Sequence, residues 1–165
     1  MKWLDPIIDI KLLLLLAIAN TMPIVARHLF RSSLSTPIDF NKTFWDGRPI
    51  LGTHKTWRGL VASIFGTWLA SFLFDIDQLL AIELAFWSMI GDMLASFIKR
   101  RRGLRSGAKC TGVDQVIEAF LPLLILKGDL AITWLDITTV TSLFVFFEIV
   151  LSPIFYKIGF RRNPY

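Results

Sequence analysis

The chain has one cysteine and two histidines among its 165 residues. Cys110 has no partner for an internal disulfide, and neither it nor His28 and His54 stand at metal-cluster spacing, which excludes a disulfide framework and a zinc site. Charge is scarce as well: charged residues make up 19% of the chain, against 54% apolar residues and a mean hydropathy of +0.57. No Gly-Lys-Ser/Thr run with an upstream glycine is present, which excludes a Walker A phosphate loop. Repeats, low-complexity tracts and linkers are absent too. No small-residue cleavage pattern follows the N-terminal apolar run, which is therefore expected to stay as a span.

What is present is membrane-compatible helix. The length allows one domain over residues 1–165, and the composition predicts an all-α, polytopic membrane protein. Hydropathy places about five spans of roughly 20 residues each. They run from about Ile7 to Phe30, Trp57 to Phe74, Leu79 to Ile98, Val113 to Leu126 and Ile137 to Ile158. The fourth is short and begins polar, and the stretch from Asp129 to Asp136 reads as either loop or helix.

The long loops Arg31–Thr56 and Lys99–Gly112, with the tail bearing Lys157, Arg161 and Arg162, carry nearly all the basic residues. The short loops instead hold Asp75, Asp77, Asp129 and Asp136. By the positive-inside rule both long loops and the C-terminus are cytoplasmic and the N-terminus is outside. The net charge of +5 therefore describes one face more than the whole.

On that face, chemistry-bearing residues cluster by spacing. Asp92 and Ser96 are one helical turn apart on the third span, which runs into Lys99, Arg100, Arg101 and Arg102. An acid within a span is costly unless paired, metal-bound or hydrated, so Asp92 is a functional candidate, with Lys99 two turns along as its bland structural partner. Asp114 and Glu118 are one turn apart at the start of the fourth span, so all three carboxylates can converge at the cytoplasmic boundary. Hard oxygen ligands without His or Cys suit Mg2+, and adjacent Lys and Arg donors suit a polyphosphate.

In the first long loop, Gly47, Gly52 and Gly59 permit turns and close backbone approach. Lys55 and Arg58, three residues apart, can face one anion, so this loop reads as a second wall of the site. Asn20-Thr21-Met22-Pro23 interrupts the first span, where Asn20 and Thr21 either satisfy the carbonyl freed by proline or face a polar cavity. Glu83 and Glu148 are further intramembrane acids. With Asp92 they would suit a membrane ion or proton carrier, but a carrier has no use for two cationic loops on one face. A CDP-alcohol phosphotransferase would show a denser aspartate array.

The run Gly91-Asp92 followed by Ser96-Phe97-Ile98-Lys99-Arg100, together with Asp114, resembles the C-terminal signature of the CDP-diglyceride synthetase family. Asn20-Thr21-Met22-Pro23, Asp46-Gly47-Arg48-Pro49-Ile50-Leu51-Gly52, Lys55-Thr56-Trp57-Arg58-Gly59 and Asp114-Gln115 resemble its archaeal branch, the CDP-archaeol synthases. The chain departs from the wider family at Arg105-Ser106, where a Lys-Asp is usual, and at Glu118, which is offset from the family's second aspartate.

The resemblance implies Mg2+-dependent transfer of a cytidylyl group from CTP to 2,3-di-O-geranylgeranylglyceryl phosphate, an isoprenoid ether-lipid phosphate. It implies catalytic roles for Asp92, Lys99, Arg100 and Asp114, and substrate binding by Asn20, Thr21, Lys55, Thr56, Arg58 and Ser96. It also implies Asp92, Asp114 and Glu118 as metal ligands. CTP, the lipid phosphate and the bilayer are the expected partners, with no nucleic acid. Because the lipid phosphate brings its own anionic nucleophile, alignment and charge neutralisation suffice, in keeping with the lack of a His or Ser constellation.

Overall fold

A computed structural model describes residues 5–104 and 112–157, with five helices: α1 (Pro6–Phe30), α2 (Trp57–Phe74), α3 (Gln78–Arg101), α4 (Val113–Ile125) and α5 (Trp134–Lys157). The expected features at Arg105, Ser106, Cys110, Arg161 and Arg162 lie outside the described residues, as does the end of the fifth span at Ile158. Four of these helices, α1, α2, α3 and α5 as far as Leu151, are long and apolar enough to cross a membrane. The 13 residues of α4 rise only about 20 Å at 1.5 Å each, short of a hydrocarbon core of about 30 Å. The chain beyond α4 continues as turns closed by Leu130 N to Leu126 O and Ile132 N to Lys127 O.

The helix ends follow local chemistry. Asp5 accepts from the amides of Ile7 and Ile8 at the start of α1, and Asp77 accepts from Leu79 and Leu80 at the start of α3. Helix α5 begins three residues earlier than hydropathy suggests. Thr133 and Asp136 form a reciprocal cap, with Thr133 N 2.6 Å from Asp136 Oδ2 and Asp136 N 3.2 Å from Thr133 Oγ1.

Helix α3 packs most closely against α4 and also contacts α1 and α2, while α5 closes the bundle against α4 and α1. Leu12, Leu15, Leu16, Leu84, Leu123, Ile137, Val140 and Phe144 form the apolar core. Between α1 and α2 the packing is different. A stripe of Gly59, Ser63, Gly66, Thr67, Ala70 and Ser71 is buried or tightly packed there, and small residues let membrane helices approach closely. Pro23 removes the donor that Ala19 O would otherwise use, and Ser63 Oγ of α2 donates to that carbonyl at 2.7 Å. The proline break and the neighbouring helix are therefore matched.

Candidate active site

The first long loop folds as a unit around Asp39. Its carboxylate is buried and accepts from the amides of Asn41 at 3.0 Å and of Leu51 and Gly52 at 2.9 Å each. Burial alone would raise the Asp39 pKa, but these backbone donors outweigh it and hold the group below its ordinary value of 3.8. Gly52 sits at φ +99°, a region that side chains rarely adopt, which turns the chain back onto Asp39.

A second set of contacts ties this loop to the end of α3. The Arg101 guanidinium donates to Asp46 at 2.5 Å and to the Pro49 carbonyl at 2.5 Å, and lies over the rings of Phe44 and Phe97. Arg48 returns a bond to Arg101 O at 2.6 Å. The loop thereby lies against the helix that carries Asp92.

Two ion pairs join three elements at this boundary. Lys55, at the end of the loop, pairs with Asp92 of α3, and Lys99 of α3 pairs with Asp114 of α4 at 2.6 Å. Glu118, one turn beyond Asp114, is hydrogen-bonded to Asp92, and Glu148 of α5 lies near enough to act on it electrostatically. Burial disfavours the Lys55 ammonium, yet the carboxylates of Asp92, Glu118 and Asp114 outweigh it and raise its pKa. Arg100, 3% exposed, places its charge beside Asp114. Ser96 is buried one turn from Asp92, and Thr56 caps α2 by accepting from Gly59 N at 3.2 Å. A cavity of about 70 Å³ beside the Lys55–Asp92 pair, lined also by His54, Thr56, Leu60 and Met89, has the liquid volume of roughly two waters.

Close approach of α3 and α4 depends on Gly91. A Cβ there would lie 2.7 Å from the Ile117 carbonyl oxygen, so no larger residue fits without moving α4. The glycine immediately preceding Asp92 therefore sets the distance across which Asp92 meets Glu118.

Several sequence expectations change in this geometry. The lysine that pairs with Asp92 is Lys55, because Lys99 is engaged by Asp114. Asp92, Asp114 and Glu118 do not converge on one point: among the described residues no group of three His, Cys, Asp or Glu side chains is placed to hold a metal ion. Lys55 is within electrostatic reach of all three carboxylates, and Lys99 holds Asp114. Arg58 does not line the cavity with Lys55; it donates to the carbonyls of Arg31 at 3.1 Å and Ser33 at 2.5 Å, where it closes the end of α1. Asn20 donates to Leu16 O at 3.0 Å and Ser88 Oγ at 3.1 Å, bridging α1 to α3, with Thr21 half-buried beside it. Glu83 and Asp92 are nine residues apart, about 180° around a helix of 3.6 residues per turn, so they form no direct relay.

Sequence reasoning gave no role to Asp39, took Gly91 only as part of the Gly91-Asp92 motif and Arg101 only as one of a basic run. Asp39 with Asn41 two residues on has the composition of an Asx turn, and Gly91 is an isolated glycine inside a helical pattern, so both left a trace. Arg101 left none within its basic run.

A family model described as CarS-like, CDP-archaeol synthase, matches residues 7–83 and 71–165. The CDP-archaeol synthase of Sulfurisphaera tokodaii is 35% identical over 138 residues, covering 79% of this chain and 82% of that protein. The CDP-archaeol synthase of Archaeoglobus fulgidus is 42% identical over 107 residues, covering 54% and 60%. A solved structure described as an intramembrane enzyme for archaeal membrane lipid biosynthesis aligns with a TM-score of 0.73 at 26% identity, covering 86% of this chain and 90% of that one.

Proposed function

The chain belongs to the CarS-like family of CDP-archaeol synthases, and from that premise we propose that the Lys55, Asp92, Lys99, Asp114 and Glu118 cluster is where it transfers a cytidylyl group. The protein is a multi-pass membrane cytidylyltransferase. Its substrates are CTP and an archaeal ether-lipid phosphate, which we take to be 2,3-di-O-geranylgeranylglyceryl phosphate, and its products are CDP-archaeol and pyrophosphate. The family assignment leaves the ion-carrier reading of Glu83, Asp92 and Glu148 without support.

The observation that carries the site assignment is the pair of ion pairs linking loop, α3 and α4 at one boundary. In the reaction an oxygen of the lipid phosphate attacks the α-phosphorus of CTP, and the bond from that phosphorus to the bridging oxygen of the β-phosphate breaks. Lys55 and Lys99 exchange their carboxylate partners for triphosphate oxygens, so charges already held in place are turned toward the leaving pyrophosphate. Arg100 adds a cation beside Asp114. Thr56 lines the cavity beside Lys55, Ser96 is buried one turn from Asp92, and Asn20 holds α1 against α3.

The donor set suits a hard cation: Asp92 and Glu118 bring two carboxylates into contact, with Asp114 a turn away on the same helix as Glu118. Mg2+, when bound, would be held by the Asp92–Glu118 pair, with Asp114 joining only on giving up its pairing with Lys99, and would supply charge neutralisation on the triphosphate. The excess of Lys and Arg on the long loops and C-terminus supports a cytoplasmic position for them, where CTP is, with the N-terminus outside.

The test is pyrophosphate release by the purified protein in detergent with CTP, Mg2+ and a synthetic archaeal lipid phosphate, each omitted in turn. Release that requires all three, with CDP-lipid in the extract, is expected. A folded protein that releases none would overturn the proposal, and release without Mg2+ would remove the metal from it.

A further inference from the structure

We infer that one isoprenoid chain of the lipid substrate lies along the α2–α3 seam, from the Lys55–Asp92 cavity to a groove at Trp68 and Ile82; this rests on the cytidylyl-transfer reading. The groove, about 290 Å³, is lined by Val61, Ile64, Phe65, Trp68 and Ile82, all apolar apart from the indole nitrogen. It opens toward the bilayer, with Val61 62% and Phe65 57% exposed. Helical register joins it to the cavity beside Lys55. On α2, Leu60 of the cavity is followed at four-residue intervals by Ile64 and Trp68 of the groove. On α3, Met89 of the cavity and Ile82 of the groove are seven residues apart and share a face.

The seam therefore has a polar end at His54, Lys55 and Thr56 and an apolar end about 18 Å deeper, from Thr56 to Trp68 at 1.5 Å per residue. A lipid with an anionic head and a branched hydrocarbon tail matches both ends: the phosphate lies at the polar end, beside the triphosphate that Lys55 holds, and the tail runs down the seam into the groove. Since bilayer lipid is as apolar as the groove, the seam selects by shape rather than by hydrophobic transfer. It thereby positions the head at the reacting phosphorus.

Filling the groove should separate lipid from nucleotide kinetics. Ile64→Trp and Ile82→Trp are expected to raise the KM for the long-chain lipid phosphate by at least about tenfold, the lower end of what a single misfitting methylene costs. The KM for CTP, and turnover of a short-chain lipid phosphate, should be unchanged. Phe146→Trp, on the exposed part of α5, is the control and should change neither. An unchanged lipid KM in both groove variants, or an equal rise in the control, would overturn the inference.

Should the bulky variants fail to fold, the wild-type protein can be photolabelled with a lipid phosphate bearing a diazirine near the chain terminus. Label on residues 61–68 and 82, competed by unlabelled lipid phosphate but not by bulk phospholipid, supports the seam. Label on α4 or α5, or equal competition by bulk phospholipid, overturns it. Labelling reads the seam independently of turnover, so a wild-type protein inactive with CTP would count against the proposed reaction and leave the seam to this experiment.

Discussion

Asp92 is bound on one side by the Lys55 ammonium and on the other by the Glu118 carboxyl group, and its role depends on both neighbours. Asp92→Asn keeps the size of the side chain but removes the charge, as does Asp114→Asn. Each is expected to lower cytidylyl transfer by about 10²–10³-fold, the scale of losing one preorganised electrostatic contact. Pyrophosphate release at saturating substrates, beside an unchanged thermal unfolding midpoint, checks this; near-normal turnover would remove that residue from the site. Lys55→Ala should raise the KM for CTP more than that for the lipid phosphate, and an unchanged CTP dependence would place Lys55 elsewhere in the reaction.

Asp39 governs order in the loop rather than chemistry. Its pKa is lower in the fold than its ordinary 3.8, so its stabilising contribution is present above that value and is lost as pH falls through the folded-state pKa. Asp39→Asn should therefore speed proteolysis of the loop at pH 7. The difference from wild type should close below pH 3.8, when read by hydrogen exchange of the Leu51 and Gly52 amides.

At the scale of elements, the contact between α3 and α4 rests on the missing side chain of Gly91. Gly91→Ala gains helix propensity but drives a methyl group against the Ile117 carbonyl, so α4 must shift and carry Asp114 and Glu118 with it. Activity is expected to fall about 10²-fold, as for a displacement of about 1 Å, with the helix content by circular dichroism unchanged. Wild-type activity in this variant would show that α3 and α4 can separate without cost to the site. The five helices themselves were legible in the sequence because a run of apolar residues is a local property, though α4 is too short to be the full span expected of it. The α1–α2 seam was not: Ser63 and Gly66 lie inside an apolar run, and only packing against Ala19 and Met22 gives them a face.

At the scale of the molecule the two ends of the bundle differ. The starts of α1, α3 and α5 share the end opposite the site, where their caps are acidic. There Asp9 (4% exposed) and Asp136 (3% exposed) are close enough to repel each other, and neither oxygen of Asp9 has a hydrogen-bond partner among the described residues. Asp9→Asn relieves that repulsion and should raise the unfolding midpoint without changing cytidylyl transfer. A lowered midpoint would mean that the carboxylate makes a contact essential to the bundle.

Sequence by itself determined the apolar helical character, the approximate spans, the two basic loops and the motifs at Asp92, Lys99 and Asp114, because hydropathy and helical spacing act over a few neighbouring residues. It did not determine which charge meets which. Lys55 rather than Lys99 reaches Asp92, and Arg58 turns to the end of α1, because partner choice depends on how each helix is rotated about its axis and how closely it approaches the next. That rotation is set by contacts between residues far apart in the chain: Ser63 on Ala19, and Gly91 against Ile117. Tertiary packing decided those contacts, and with them the arrangement of the site.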